Sequence, residues 1–224
     1  MEAQTNPEMR REYATYKEIV EERLQRLHGA SIVVGIGSGR TARNFLDECV
    51  SFSAKGPSLL FAAASTETEM ELQSRKATVV SMQSADRIDI YFDGADYVDG
   101  SGWMVKGYGG AVFLESIAMQ TSSHSVIAIP QSKCVESFQG ICIPVEVVRP
   151  SLPLVRKHLE KSSCTYKIRS VGDTVYTTSL GNIIVDVMYK VDLPKILDVP
   201  GVVACGLIPP SENVEVVIIR NPLY

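Results

Sequence analysis

Between residues 10 and 28 apolar side chains return every three or four positions, at Tyr13, Tyr16, Ile19, Val20, Leu24 and Leu27. Arg and Glu fill the gaps, so the spacing predicts an amphipathic helix, ended by Gly29. The next apolar positions are contiguous instead. Residues 31–34 form a short β-branched run and predict a buried strand, followed by a glycine loop and a helix over 41–50. The same rule predicts a strand over 58–64, a helix over 67–76, and strands over 79–82, 88–92 and 126–129. A glycine-rich loop and a helix over 110–121 separate the last two. Strands alternating with helices predict βαβ units. The expected fold class is α/β: a Rossmann-like, mostly parallel sheet with helices on both faces.

The rhythm changes near Pro144. Residues 144–148 predict a strand, 152–161 a helix, 166–170 and 183–189 two strands, 193–197 a short helix, and 202–208 a strand. That β-α-β-β-α-β order is the ferredoxin-like pattern. The last run, 215–220, is free to return to the main sheet. The expected organisation is an α/β domain over 1–142 and 206–224, interrupted by a small α+β lid over 143–205.

Composition narrows the class. The chain has 224 residues, 22 Lys+Arg against 26 Asp+Glu, 45% hydrophobic and 21% charged residues. Disordered, collagen-like and disulfide-miniprotein classes are excluded. Area scaling predicts burial of about 70% of the unfolded surface, enough for one large core or a core with a satellite. No basic stripe exists, so nucleic acid is not an expected partner. The longest apolar run, 59–64, is far shorter than the ~20 residues that span a bilayer, so no membrane association is expected. Residues 1–11 are polar and predict no signal peptide. Cys49, Cys134, Cys142, Cys164 and Cys205 are odd in number and widely spaced, which predicts reduced thiols and a cytoplasmic location. No His pairs with a Cys or another His at ligand spacing, so no metal site is expected.

Three loops hold candidate chemistry. Gly35-Ile36-Gly37-Ser38-Gly39-Arg40-Thr41 follows a strand and opens a helix. Its glycines let backbone approach a ligand, and helix N–H groups attract an anion. Ser38, Thr41 and Arg40 add donors. Arg40 stands where a dinucleotide fingerprint needs glycine, so a phosphate is favoured over NAD. The plainer reading is a strand–helix turn that Thr41 helps to cap. Asp93-Gly94-Ala95-Asp96 stands at a strand's carboxyl end, where open α/β sheets bind ligands. Two carboxylates there suit acid–base work if their environments differ; otherwise they close a turn, as Asp99 and Gly100 do. Lys106-Gly107-Tyr108-Gly109-Gly110 runs into the helix carrying Glu115. Lys106 suits a developing oxyanion and Glu115 a general base, although a helix Glu taken singly is more often solvated. Together the loops fit proton abstraction beside a carbonyl in a small phosphorylated substrate.

These segments, with Ser132-Lys133, residues 144–147 (Pro-Val-Glu-Val) and residues 200–203 (Pro-Gly-Val-Val), resemble the type A ribose-5-phosphate isomerase family. The resemblance runs from about Lys17 to the C-terminus. It implies a cofactor-free aldose–ketose isomerase of the pentose phosphate pathway, working through a cis-enediol as a homodimer or homotetramer. It implies Glu115 as the base that moves a proton between C1 and C2. Asp93 would assist ring opening and hydroxyl proton transfer, Asp96 would hold hydroxyls, and Lys106 would stabilise the enediolate. Ser38, Thr41, Lys133 and Lys17 would match the family's phosphate and sugar contacts; Gly37, Gly39, Arg40, Gly107 and Gly109 are expected from the glycine loops themselves to bind the sugar phosphate. The family pattern is departed from at Tyr97, Tyr108, Arg40 and Ala62-Ala63-Ala64, and at Leu114 and Ser116 beside Glu115. Those changes leave a second reading open, a non-catalytic sugar-phosphate sensor on the same scaffold, with a related sugar-phosphate isomerase or deaminase as a third.

Overall fold

A computed structural model describes residues 11–29 and 31–220 of the chain. The polar stretch 1–10, including the helix start expected at residue 10, and residues 221–224 lie outside the described residues. The first half follows the expected alternation: β1 (Arg11–Tyr13), α1 (Tyr16–Leu24), β2 (Ile32–Ile36), α2 (Gly39–Ser53), β3 (Leu59–Ala63), α3 (Thr66–Ser74), β4 (Thr78–Val79) and β5 (Ile90–Asp93). Strand β1 corrects the long first helix. Thr15 is extended and its hydroxyl accepts the Glu18 N–H at 3.2 Å, while the Glu18 carboxylate accepts the Ala14 N–H at 3.0 Å. This variant of the capping box starts α1 at Tyr16 and leaves residues 11–13 to pair along the C-terminal strand.

There follow β6 (Tyr97–Asp99), β7 (Met104–Val105), α4 (Val112–Thr121), β8 (Ser125–Ile129) and β9 (Cys134–Val135). Next come β10 (Cys142–Val147), α5 (Leu152–Lys161), β11 (Tyr166–Ile168), β12 (Ser170–Val171), β13 (Thr174–Val175), β14 (Ile183–Met188) and β15 (Val202–Cys205). The last two strands are β16 (Leu207–Ile208) and β17 (Val214–Ile219).

Among the described residues seven strands form one parallel sheet, in the order β1-β17-β8-β5-β2-β3-β4. Successive side chains point to opposite faces, and both faces are buried. Val34, Phe61, Phe92 and Ala128 pack beneath α1, α2 and α3, with Phe45 of α2 stacked on Phe92 at 4.9 Å. Tyr91, Ile127, Ile129 and Val216 face the other way and meet Ala118 and Met119 of α4. Burial on both sides is why these strands read as continuous apolar runs.

Strands β11-β14-β10-β15 form an antiparallel sheet, covered by α5 through Val155 and Leu159. The expected second helix of this unit is a 3₁₀ segment, Leu193–Asp198. Pro194 near its start and Pro200 just beyond its end limit it to two tight turns.

The strand expected over 202–208 breaks at Gly206. Its N–H donates to the Pro144 carbonyl at 2.7 Å, and its own carbonyl accepts the Lys106 N–H at 2.9 Å. A Cβ on Gly206 would lie 2.2 Å from the Lys106 carbonyl oxygen. The chain therefore leaves the antiparallel sheet and joins a small third one, β16-β7-β6-β9. No sequence period predicts these short strands, or the β12–β13 hairpin. Asp99 does close the β6–β7 turn, its Oδ1 accepting the Ser101 and Trp103 N–H groups at 2.9 and 3.0 Å. Among the described residues no helix is long and apolar enough to cross a membrane. Cys49, Cys142, Cys164 and Cys205 are free thiols.

Candidate active site

Strand β2 pairs with β3 on one side and β5 on the other. The chain's winding reverses there, and ligands bind outside the carboxyl ends at such reversals. An open crevice of about 200 Å³ lies at that point. The N-terminus of α2, the turn after β5, loop 106–110 and the first turns of α4 enclose it.

Helix α2 begins at Gly39, two residues before the expected start. Ser38 is the N-cap, extended at φ −124 and ψ 161, yet its side chain makes no cap bond. Its hydroxyl donates instead to Glu115 Oε1 across the crevice. The free N–H groups of the first turn are therefore left for a ligand. Gly39, Arg40 and Thr41 line this end, with Lys133 opposite. The Lys133 ammonium donates to the Ala95 carbonyl at 2.5 Å. Burial lowers its pKa; Asp96 opposes that shift, while the charges of Lys106 and Arg40 add to it. Two cations thus share one small volume with a helix N-terminus, an arrangement that an anion relieves.

The other end holds a buried cluster. Asp93, Lys106 and Glu115 are 1%, 3% and 4% exposed. The Lys106 ammonium meets Asp93 Oδ2 at 2.6 Å, the Gly94 carbonyl, and Glu115 Oε2 at 3.2 Å. Asp93 also accepts the Tyr91 hydroxyl at 2.6 Å and the Gly94 N–H at 2.8 Å. Burial pushes Lys106 down, but the Asp93 and Glu115 carboxylates outweigh it and hold the ammonium above its ordinary value. Glu115 moves the other way. Burial raises it most, Lys106 opposes, and Asp93 adds to the rise, so its pKa is pushed up to about 7. A carboxylate poised there both takes and returns a proton near neutrality. Asp96 is raised by burial against the Tyr108 N–H, which it accepts at 3.0 Å.

Gly37 does not line the crevice but makes it possible. A Cβ there would stand 1.9 Å from the Asp93 carboxyl carbon, so only glycine lets β2 and β5 bring Ser38 and Asp93 together. Gly107 and Gly109 do line it. Lys17 does not: its ammonium is on the exposed side of α1, 3.8 Å from Glu21, in a separate surface hollow. The first turn of α1 is amphipathic, and buried Tyr16, not Lys17, faces the crevice. Among the described residues no group of three or more His, Cys, Asp or Glu side chains is placed to hold a metal ion.

The sequence matches the ribose 5-phosphate isomerase A (phosphoriboisomerase A) family over residues 60–222. It is 31% identical over 192 residues to ribose-5-phosphate isomerase A of Bordetella pertussis, covering 83% of this chain and 82% of that one. The chain belongs to this family. Its fold agrees with the solved ribose 5-phosphate isomerase A of Methanocaldococcus jannaschii at a TM-score of 0.80 and 26% identity, over 90% of this chain and 93% of that one. The Neisseria gonorrhoeae structure gives 0.76 and 25%, over 93% and 96%.

Within this isomerase family scaffold, the departures noted in the sequence have structural places. Tyr97 and Tyr108 meet edge to face at 6.1 Å, and the Tyr108 hydroxyl donates to the Cys142 carbonyl at 3.0 Å. Ala62 and Ala64 are buried in the core and away from the crevice. Sequence reasoning missed Tyr16, Asn44 and Pro130, which all line the crevice. Asn44 was findable, because it stands four residues after Arg40 and so shares its helix face. It also missed Tyr91 and the hold of Arg169 and Tyr176 on loop 106–110. Arg169 donates to the Gly107 and Tyr108 carbonyls at 3.0 Å each, and Tyr176 reaches the Gly109 carbonyl at 3.4 Å.

Proposed function

We propose that the protein interconverts D-ribose 5-phosphate and D-ribulose 5-phosphate through a cis-enediol, in the non-oxidative pentose phosphate pathway. The observation that carries this reading is the Asp93–Lys106–Glu115 cluster in the crevice that the uncapped N-terminus of α2 also lines. The phosphate binds the first turn of α2 with Arg40, Thr41 and Lys133. Asp96 and the glycine-loop backbone hold the sugar hydroxyls. Glu115 takes the proton from C2 of the open-chain aldose; the C2–H pair forms the C1=C2 bond and the carbonyl pair moves onto O1. The O2 hydroxyl proton passes to O1, C2=O forms, and Glu115 returns its proton to C1. Asp93, fixed as an acceptor by three donors, assists ring opening and the hydroxyl proton.

The charges support this order of events. All three Lys106 protons are engaged, and the longest contact is to Glu115. When Glu115 takes the proton it becomes neutral and no longer holds the ammonium. The positive charge then becomes available as oxygen turns negative, which favours the transition state over the ground state. A binder that only senses a sugar phosphate has no need of this arrangement. A cytoplasmic location and a homodimer or homotetramer belong to the same proposal, and sedimentation measures the second.

The test is turnover of ribose 5-phosphate by purified protein. Glu115→Gln retains shape, so calorimetry should still find the substrate bound while kcat falls by ~10²–10⁴-fold. Rates within a few-fold of wild type would remove Glu115 as base. A wild type that binds ribose 5-phosphate and never converts it would make the protein a sensor.

A further inference from the structure

Helix α4 carries Glu115 in its first turns but has no cap of its own. Ala111 stands at the N-cap with φ −99 and ψ 35 and offers no side-chain acceptor. The first N–H groups of a helix lack partners within it. One partner comes from the antiparallel sheet: Glu146 of β10 accepts the Phe113 N–H on Oε2 at 3.0 Å. Glu146 is 1% exposed. Its Oε1 accepts from the Thr178 hydroxyl and the Asn182 side-chain amide, both at 3.0 Å. Thr178 and Asn182 brace each other across a turn before β14, through backbone and side-chain bonds of 2.9 and 3.2 Å. Three donors thus converge on the two oxygens of this one side chain. A negative charge at the N-terminus of α4 also agrees with its dipole. Beside this contact Val112, Ile184 and Ala204 pack with Phe113 and Tyr176. The first turn of α4 is thus fastened to the antiparallel sheet by polar and apolar contacts.

We propose that Glu146 is a positioning residue, a carboxylate of the antiparallel sheet that caps α4 and so fixes where Glu115 stands relative to Lys106 and Ser38. Glu146 does not line the crevice. Its kinetic consequence rests on the reading of Glu115 as base. Lys106 and Asp93 are the charged groups around Glu115, with the Ser38 hydroxyl on one oxygen and the Tyr91 phenol nearby. Each distance depends on the angle of α4, and small misplacements at a reacting centre lower rates steeply, with a 1 Å error worth ~10²-fold.

Glu146→Gln preserves size but turns an amide NH₂ toward one of the three donors. The expected result is a kcat lowered roughly tenfold or more, with KM nearly unchanged. The Glu115 carboxyl titration should also move. It is read by ¹³C NMR of glutamate-labelled protein and assigned by its loss in Glu115→Gln. Asn182→Ala removes one support and leaves the Phe113 contact, so it should give a smaller change in the same direction; it decides the matter if Glu146→Gln does not fold. Wild-type kcat and wild-type Glu115 titration, in whichever variant folds, would overturn the proposal even if Tm falls. If wild type itself has no turnover, the isomerase reading fails, and the titration alone still decides whether Glu146 positions Glu115.

Discussion

Glu115 is held in a state that folding disfavours. Its pKa rises from 4.5 to about 7 on burial. A group with a raised folded pKa contributes fully below its unfolded value, and that contribution is lost as pH rises through the folded one. Wild type should therefore lose on the order of 3 kcal/mol relative to Glu115→Gln between pH 4.5 and pH 7, the worth of a shift of that size. Urea unfolding of both proteins at pH 5 and pH 8 measures it; equal differences at the two pH values would mean that Glu115 is not the strained group. On the proposed role of Glu115 as the base, the same titration governs activity, so kcat/KM should fall as pH drops below about 7. Lys106→Met should lower kcat by roughly 10²-fold, the scale of losing one oxyanion donor. It should also move the acid limb to higher pH, because Lys106 is what holds Glu115 down; an unmoved limb would assign that limb to another group. The sequence made Asp93, Asp96, Lys106 and Glu115 legible because their types stood beside glycine turns at strand ends. The Ser38–Glu115 bond was not legible. It joins positions 77 apart, and only the close approach of β2, β5 and α4 creates it.

At the scale of elements, the N-terminus of α2 does two jobs. Ser38 gives up its cap bond to reach Glu115, and the first turn is left open to an anion. A cation in a first turn works against the helix dipole, and on the proposed function Arg40 is offset there by the substrate's phosphate. Arg40→Ala should raise KM for ribose 5-phosphate by about tenfold, the ~1.5 kcal/mol of one charged hydrogen bond, with kcat little changed. Free ribose should be a very poor substrate in both kcat and KM, since remote binding groups support chemistry at the reacting carbon. Equal turnover of ribose and ribose 5-phosphate would remove α2 from the phosphate role. Long elements were legible because buried faces repeat at helical or strand spacing, as in α5, whose ends match the expected 152–161. Helix α1 was overextended, although Thr15 and Glu18 carry its start signal. Apolar Tyr13 continued the helical period while it belonged to a strand.

The whole molecule is held around the crevice by contacts between its sheets. Gly206 connects the main chain of Lys106 to the antiparallel sheet, and Arg169 clamps the glycine loop. Neither contact was legible, although the chain was expected to rejoin the α/β domain from residue 206. A two-residue strand has no period, and an Arg in a predicted strand reads as solvated. Arg169 also pairs with Asp186 of β14, Nη2 to Oδ1 at 2.5 Å and Nε to Oδ2 at 3.1 Å. Their side chains are 16% and 8% exposed, so the pair is only weakly screened by solvent. One guanidinium therefore ties a strand of the antiparallel sheet to the loop that carries Lys106. Arg169→Ala should leave Asp186 buried without its cation and free the carbonyls of Gly107 and Tyr108. Stability should fall by roughly 2–4 kcal/mol, less than for a fully buried pair, and kcat should fall with it as the loop loosens. Asp186→Asn should cost less, because the loop contacts of Arg169 survive. A double-mutant cycle separates the two roles. The expected outcome is a coupling near 1–2 kcal/mol in stability, with the kcat loss following Arg169 alone. A coupling near zero would mean a solvent-screened pair, and an equal kcat loss in both single variants would mean that the ion pair, and not the loop clamp, sets the geometry of the site.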